Sequence, residues 1–563
     1  MPYNVVTSTW DKDELMLKLD KEKFAANELQ TRKHEDWESN YELYRNKVRT
    51  NRLTQRQAVN IPLMKETIKT QLSQMDEAPS VEWSELGGDE QKELIYQEIW
   101  NDTFKMDKLE LVDVLDKKNV LNYGIGTKKL NIKKDGIKID ALDPYDVVFD
   151  PLMRVGDIES ARFIIHQNIF RSVREILADD KYTEAGKEEL KLWADSPAGI
   201  THGKDNEEKW EEKMKRIRAM GVDNSDFPLY AGGDRLINLT EHFTTVWNKD
   251  KWERRVVVYA DNQVELYNET LYDCIGVDFW PFTVWVEDPD TTDIYSDSIA
   301  DLIRPLNKVL NVWFSQLIEN RTLKNFQMHW VSASEGYTPT TYTPGPGVQL
   351  PAPPIQPGQS IKDVVMPVEI SGLDDTLQAI QAITQIAERA SGATAIQKGE
   401  PEQGEQTLGE VKILVGKAQE RTVAMAKFYR MAWYETAWKW DKLMHANGPR
   451  FKKLYKAGPN GKMYPKRVFK NDWKSEVGYE PTIASTSEQE RQDIQSIQKW
   501  VFAKSQFPNN PAIAKITAKR IFESLDVTPE ELKQIEEAED QVQAMATPIP
   551  AQPAPVPQAP TYA

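Results

Sequence analysis

Residues 296–447 constrain the fold of this chain most, because three long helix-forming segments there are interrupted by an insert that cannot be helical. In the first segment apolar residues recur at the i, i+3, i+4 spacing of one helix face. They are Ile299, Leu302, Ile303, Leu306, Leu310, Trp313, Phe314 and Leu317. Either Ser296 or Asp297 is suited to cap this helix, and Pro305 should kink it or begin it anew.

The second segment, residues 372–391, repeats the apolar spacing with Leu377, Ile380 and Ile383. The third, residues 408–446, is apolar on nearly all sides, which predicts a buried helix. Between the first two lie about forty residues rich in Pro and Gly, a length uncommon inside a compact domain. They predict a small projecting element, and its strand candidates, VQLPAPP and IKDVVMPVEI, should need partners from other subunits.

The remaining chain reads as an α+β body followed by a helical end. Residues 1–75 and 89–121 favour helices, the latter a single one, while residues 123–151 and 235–287 alternate with period two, as strands do. A further helix should begin at Ser172. A basic hairpin follows the third long helix, and helices resume after residue 485. The last eighteen residues, uncharged and rich in Pro and Ala, should be disordered.

Composition narrows the class of function. The net charge of −17 argues against a surface that grips nucleic acid everywhere, because phosphate affinity comes mainly from Lys and Arg. It is compatible with a surface past which DNA slides. No apolar run reaches about 18 residues, so no helix should span a bilayer. The single cysteine, Cys274, permits no intrachain disulfide and reads as a small core residue.

No catalytic set is apparent, and we expect no metal ligands and no cofactor. The six histidines lie at no metal-ligand spacing. Two acidic clusters leave a metal-dependent nuclease as an alternative, since neighbouring carboxylates can hold Mg²⁺. Asp beside Pro and Thr is equally the ordinary composition of turns. The clusters consist of Glu287, Asp288, Asp290 and Asp293, and of Asp143, Asp146 and Asp150.

The order of segments resembles the portal proteins of tailed bacteriophages. WPFTVWVEDPDTTDIYSDSIADLIRPLNKVLNVWFSQLIEN is similar to the approach to and start of that family's first stem helix. DPYDVVFDP is similar to a turn in its wing. SGATAIQKGEPEQGEQTLGEVKILVGKAQERTVAMAKFYR is similar to the end of its second stem helix, its tunnel loop and its wing helix. The resemblance implies a mainly helical α+β subunit that assembles into a ring, with no enzymatic activity.

Carried onto this chain, the resemblance implies eight regions. They are a wing at 1–295, a first stem helix at 296–331, a clip at 332–371, a second stem helix at 372–391, a tunnel loop at 392–406, a wing helix and hairpin at 407–484, a helical crown at 485–545 and a disordered tail at 546–563. The loop residues expected to face DNA are Gln397, Lys398, Glu400, Glu402 and Glu405, with Lys398 the best candidate for a phosphate contact. The expected clip docking surface comprises Tyr337, Tyr342, Pro344, Pro346, Val348, Pro353 and Pro354.

The resemblance also implies the partners. They are further copies in a twelve-subunit ring, the terminase large subunit, head–tail adaptor and tail proteins, the major capsid or scaffolding protein, and double-stranded DNA in the channel, with no membrane. The expected location is the portal vertex of the virion, after assembly in the host cytoplasm. A second interpretation is another ring-forming virion or tail adaptor that never contacts the motor.

Overall fold

The computed structural model describes residues 12–46, 59–75, 80–133, 136–218, 236–248, 251–291, 293–325, 329–331, 358, 360, 365–367, 374–391, 408–457 and 463–484. Within them the chain is a mixed α+β protein, as the sequence predicts. The helices are α1 (Lys12–Tyr44), α2 (Leu63–Gln74), α3 (Glu90–Met106), α4 (Leu109–Tyr123), α5 (Val173–Ala178), α6 (Glu184–Asp195), α7 (Pro197–Arg218), α8 (Leu271–Ile275), α9 (Ile299–Asn325), α10 (Asp374–Ser391), α11 (Leu408–Asn447) and α12 (Lys470–Trp473).

The strands form sheets of two, three and five members. They are β1 (Ser80–Glu85), β2 (Ile125–Lys133), β3 (Gly136–Ala141), β4 (Val147–Phe149), β5 (Phe163–Ser172), β6 (Leu236–Asn248), β7 (Lys251–Ala260), β8 (Val264–Thr270), β9 (Phe282–Val286), β10 (His329–Val331), β11 (Val365–Pro367), β12 (Phe451–Ala457), β13 (Met463–Phe469) and β14 (Tyr479–Ala484). Neighbours in the sheets follow the orders β4-β5-β6-β7-β8, β3-β2-β9, β1-β14, β10-β11 and β12-β13.

Helix α1 crosses the five-stranded sheet on polar contacts. Lys18 donates to the hydroxyl of Thr244 at 3.0 Å on β6, and Asn27 pairs with Gln167 on β5. The amide of Gln30 donates to the carbonyl oxygen of Val147 at 2.8 Å on β4. Its apolar side chains form two small clusters with the sheet, and Trp37 and Leu43 further along the helix join the main core. Polar and apolar contacts together hold this helix on the sheet.

The main core lies where the C-terminal half of α11 packs against the three-stranded sheet. Buried aromatic side chains gather at its end: Trp83, Tyr96, Trp100, Trp440, Trp473 and Tyr479. The rings of Tyr96 and Tyr479 stack with centroids 3.9 Å apart. The expectation of an all-round buried helix is wrong in part, because Met431 and Tyr434 are 59% and 40% exposed.

Two further expectations are wrong. Residues 89–121 form two helices instead of one, because Lys108 adopts a left-handed conformation with φ +53° and turns the chain between α3 and α4. The cap of α9 is Ser298, whose hydroxyl accepts the N–H of Asp301 at 3.1 Å while Asp301 accepts the N–H of Ser298 at 2.9 Å. Ser296 instead donates to the carbonyl oxygen of Gly124 at 2.8 Å, at the end of α4.

Helix α9 runs unbroken through Pro305, so a new helix does not begin there. Its 27 residues correspond to a length of about 40 Å at 1.5 Å per residue. Beyond Ser315 its described side chains are exposed or half-buried, as the thinning apolar stripe predicts. No helix in the described part of the chain is long and apolar enough to cross a membrane.

Candidate functional site

The residues expected to contact DNA or docking proteins lie outside the described residues. These are Gln397, Lys398, Glu400, Glu402 and Glu405 of the loop, and Tyr337, Tyr342, Pro344, Pro346, Val348, Pro353 and Pro354 of the insert. The structure does describe what holds both segments: α9 and β10 before the insert, β11 and α10 after it, and α11 after the loop. These elements, together with α2, form the candidate site.

The chain leaves α9 for the insert through β10 and reaches α10 again through β11. The two strands are antiparallel, with His329 opposite Pro367 and Val331 opposite Val365. One strand candidate, IKDVVMPVEI, was expected to need a partner from another subunit, and this is wrong for residues 365–367, which pair within the chain. Pairing within the chain brings the two ends of the insert together.

The face of α9 that packs against its own chain carries a row of polar side chains among buried apolar ones. The backbone N–H of Met64 donates to Asn307 at 2.9 Å, and that of Ile61 donates to Asn311 at 2.8 Å. The N–H of Val59 reaches the hydroxyl of Ser315 at 3.2 Å. The three polar side chains of α9 are nearly fully buried. They satisfy backbone groups that the extended entry to α2 would otherwise leave unpaired.

Helix α2 also contacts the end of α10. The side-chain amide of Gln71 donates to the carbonyl oxygen of Ser391 at 2.6 Å, and both residues are buried. Ser391 is the last residue of α10 and directly precedes the loop expected to face DNA. Helix α2 therefore links α9 at one end to the terminus of α10 at the other.

Helix α1 fixes the first turns of α9. The guanidinium of Arg304 pairs with Asp36 at 2.9 Å and with Asp301 at 2.8 Å. Asn40 donates to the carboxylate of Asp301 at 2.9 Å. Since Asp301 is also part of the cap, the start of α9 is tied to α1 as well as to α4.

The outward side of α9 carries a stripe of exposed apolar side chains. Leu302, Val309 and Val312 are 52%, 40% and 44% exposed, and Pro305 is exposed between them. The apolar spacing in the sequence predicted that Leu302 lies on the buried face, which is wrong. The residues are spaced three and four apart, as on the contact stripe of a helix that packs against another helix.

Helices α9 and α10 have no exposed carboxylate among the side chains that the structure describes. The exposed residues of α9 up to Gln316 are Leu302, Pro305, Lys308, Val309, Val312 and Gln316. Those of α10 are Leu377, Gln378, Gln381, Ala382, Gln385, Ile386 and Arg389. The chain has 88 Asp and Glu residues, so a helix surface without exposed carboxylates is unusual in it.

The C-terminal half of α11 is fastened to the body by buried hydrogen bonds. The hydroxyl of Tyr429 donates to Asp113 at 2.6 Å, and the indole of Trp433 donates to the same oxygen at 3.0 Å. Further along, the hydroxyl of Tyr96 donates to Asp441 at 2.6 Å. Leaving any of these groups unpaired in the core would be costly, so they fix the position of α11 against the body.

The carboxylates of the first acidic cluster build turns. Asp150 accepts two bonds from the guanidinium of Arg162, each at 2.7 Å. Burial would raise the pKa of Asp150, but Arg162 holds it below its usual value. Asp146 pairs with Lys213, and Asp143 accepts the N–H of Tyr145 at 3.1 Å. These contacts agree with the interpretation that the carboxylates of this cluster belong to turns and do not bind a metal.

The second cluster contains a buried carboxyl group. Burial, and then the charge of Asp288, raise the pKa of Glu287 to about 8. Asp293 accepts the N–H of Tyr295 at 2.9 Å and lies 3.6 Å from Lys33. Over the residues that the structure describes, no group of three His, Cys, Asp or Glu side chains could hold a metal ion.

The polar row of α9 and the amide of Gln71 were not predicted from the sequence. A signal for the row exists: Asn307, Asn311 and Ser315 recur every four residues inside an apolar segment. The sequence contains no such signal for the contact of Gln71, because its partner is a backbone carbonyl 320 residues away.

Comparison with known proteins places the chain in a family. It matches the family model described as phage SU10 portal protein over residues 31–561. A search of curated proteins gave no match. The chain therefore belongs to the portal proteins of tailed bacteriophages, and within them to the phage SU10 portal protein family. The resemblance inferred from the sequence is confirmed, and membership implies an oligomeric ring at a capsid vertex with capsid and tail partners. The family is structural in character, not enzymatic.

Proposed function

We propose that this protein forms a ring-shaped channel at one capsid vertex, through which a terminase motor packages double-stranded DNA and through which the DNA is later ejected. Tail and adaptor proteins attach to the same ring after packaging. In this proposal α9 and α10 are stem helices, residues 332–371 are the clip that docks the motor, and residues 392–406 are the loop that faces DNA.

The observation that carries the proposal is the exposed apolar stripe of α9 in a member of the portal family. Leu302, Val309 and Val312 are exposed on α9. On its buried side Asn307, Asn311 and Ser315 lie beside Ile303 and Leu310. An exposed apolar stripe on a soluble chain costs free energy unless a partner covers it. Neighbouring subunits of a ring would supply that partner along the whole stem.

The scarcity of exposed carboxylates on α9 and α10 suits helices that line or adjoin a DNA channel. The loop that follows α10 carries Lys398 together with Glu400, Glu402 and Glu405. One phosphate contact adds little affinity, and the carboxylates oppose tight binding. Such a loop would touch passing DNA without holding it.

Electron microscopy and mass measurement of the purified protein test the proposal. We expect rings with a central hole wide enough for duplex DNA. The change Val309→Glu should abolish them, because a carboxylate in the middle of the apolar stripe would be desolvated without a partner. Gln316→Glu, four residues beyond the last residue of that stripe, is the matched control and should still assemble.

A wild-type chain that stays monomeric at micromolar concentration in near-physiological salt would contradict the proposal. Rings that bind tail proteins but never a terminase would point to an adaptor instead. DNA cleavage that requires a divalent metal, and that is lost in Asp288→Asn and Asp290→Asn, would support the nuclease interpretation.

A further inference from the structure

The hairpin of β12 and β13 is strongly basic in an acidic chain. Residues 450–474 contain nine Lys and Arg but only one acidic residue, whereas the whole chain has a net charge of −17. Neither the stem nor the loop accounts for this concentration of positive charge. The side chains of the hairpin divide between two faces, and the two faces differ.

The inner face of the hairpin is neutralised by α3. The ammonium of Lys452 lies 3.0 Å from the carboxylate of Asp102, and that of Lys466 lies 2.9 Å from Glu98. Leu454 and Val468 are buried between these pairs. This face is fully explained by packing within the chain.

The outer face carries cations with no such partners. Phe451 lies opposite Phe469, and Lys453 lies opposite Arg467. All four side chains are exposed. No carboxylate within the described part of the chain pairs with Lys453 or Arg467. Like charges directly opposite each other destabilise a strand pair, so this arrangement is unfavourable for the subunit alone.

More positive charge lies at the base of the hairpin. The N–H of Lys470 donates to the carbonyl oxygen of Arg450 at 2.9 Å, which places the two residues side by side. Burial and the nearby charge of Lys474 lower the pKa of Lys470. This positive charge directly follows Phe469 in the chain, so it adds to that of Lys453 and Arg467 and makes the outer face suited to an acidic partner.

The hairpin also has no strand neighbour among the described residues. A two-stranded sheet is only marginally stable by itself, and two half-exposed Phe side chains add unburied apolar area. A partner that covers the outer face must therefore offer both carboxylates and apolar side chains. Duplex DNA fits less well than a protein, because its bases are stacked and its phosphates give Phe nothing to pack against.

We propose that the outer face of the hairpin, Phe451, Lys453, Arg467 and Phe469, docks on an acidic surface of a second copy of this chain in the ring. Outside residues 450–474 the chain is more acidic than its net charge indicates, so a neighbouring copy is complementary in charge. The inference rests on the proposed function, since the ring is what brings the neighbour into reach.

The test is the assembly of charge variants, with mass photometry measuring the protein concentration at which half of the chains are assembled. The double change Lys453→Glu with Arg467→Glu should raise that concentration at least tenfold at 0.15 M salt. The effect should shrink in 1 M salt, where the Debye length is about 3 Å. Phe451→Ser with Phe469→Ser should raise it at both salt concentrations, because an apolar contact is not screened.

A matched control separates the face from the overall charge. Lys21→Glu with Lys191→Glu changes the net charge equally at two exposed sites elsewhere and should leave assembly unchanged. The single change Lys453→Glu turns a repulsive cross-strand pair into an attractive one. It should raise the Tm of the dilute monomer while weakening assembly, which a folding defect would not do.

Assembly equal to that of the control would overturn the inference and leave the proposed ring intact. Unchanged assembly combined with lost binding of a duplex oligonucleotide would assign the face to nucleic acid and overturn it too. Failure of the unchanged chain to form any ring would overturn both proposals together.

Discussion

At the scale of single residues, Glu287 is a buried carboxyl group whose pKa is raised far above its usual value. In the sequence it is one of several carboxylates that could suit a metal. In the structure it directly follows β9, and one of its carboxylate oxygens is buried without a hydrogen-bond partner among the described residues. Its raised pKa, about 8, means that it is protonated in the folded protein near neutral pH.

This protonation predicts a pH-dependent stability. In the unfolded chain Glu287 releases its proton near the ordinary glutamate pKa of 4.5, whereas in the folded chain it keeps the proton to about pH 8. Stability must therefore fall as pH rises through this window, because the folded state binds more protons. Glu287→Gln should match the wild type near pH 5 and exceed it by on the order of 1–2 kcal/mol at pH 8.

Thermal melts between pH 5 and pH 9 measure this difference. The substitution Glu35→Gln on α1 is the control, because it removes one carboxylate at an exposed site. If the Tm values of the Glu287→Gln variant and the wild type differed by a constant amount across the whole pH range, the assignment of a protonated, buried carboxyl group to Glu287 would be wrong.

At the scale of elements, periodicity found the long helices but misassigned a face. Ile299, Ile303 and Leu310 are buried as expected. Leu302 is exposed instead. The helix is turned so that Asn307 and Asn311 face the segment before α2, about 250 residues away, and apolar spacing carries no information about that contact. Local spacing predicts that a helix exists. The choice between two candidate faces depends on contacts that are distant in sequence.

The same limit explains the other errors at this scale. The cap of α9 depends on the position of α4, because the carbonyl oxygen of Gly124 at the end of α4 occupies the hydroxyl of Ser296. The break between α3 and α4 depends on one left-handed residue, Lys108. By contrast, the helix start at Ser172 was predicted correctly, because its capping box with Glu175 is local in sequence.

The polar row predicts a large effect from a small change. Asn307→Leu should destabilise the subunit by roughly 2–4 kcal/mol, since it leaves the N–H of Met64 and the carbonyl of Ile61 buried and unpaired. Chemical denaturation of the dilute subunit is the measurement. Gln316→Leu, on the exposed face of the same helix, should stay within about 0.5 kcal/mol of wild type. Equal losses in the two variants would contradict the role of the row.

At the scale of the whole molecule, the order of segments was more informative than any one of them. It predicted the portal family, which the family match confirms. It could not provide the geometry of the loop or the clip, because a Pro/Gly insert almost free of charge and a polar loop have no periodicity from which a fold could be inferred. The assignments of Lys398 and of the clip residues remain predictions.

The insert should behave as a unit that is separable from the ring. Deletion of residues 336–359 should leave rings intact and abolish docking of the motor or adaptor, because β10 and β11 already close the base of the insert. Ring imaging and binding to the terminase large subunit measure the two effects separately. Loss of soluble protein on deletion would mean that the insert is part of the core.

The bonds between α9 and the segment before α2 also limit how the stem can move. Their acceptors lie every four residues along the helix, which is about 6 Å at 1.5 Å per residue. A slide of α9 by less than this spacing would leave each acceptor between two donors and break all three bonds at once. Axial sliding past α2 is therefore restricted to discrete steps, and smaller displacements of the stem must carry α2 along with it. Through Gln71, such a displacement would reach the last carbonyl of α10.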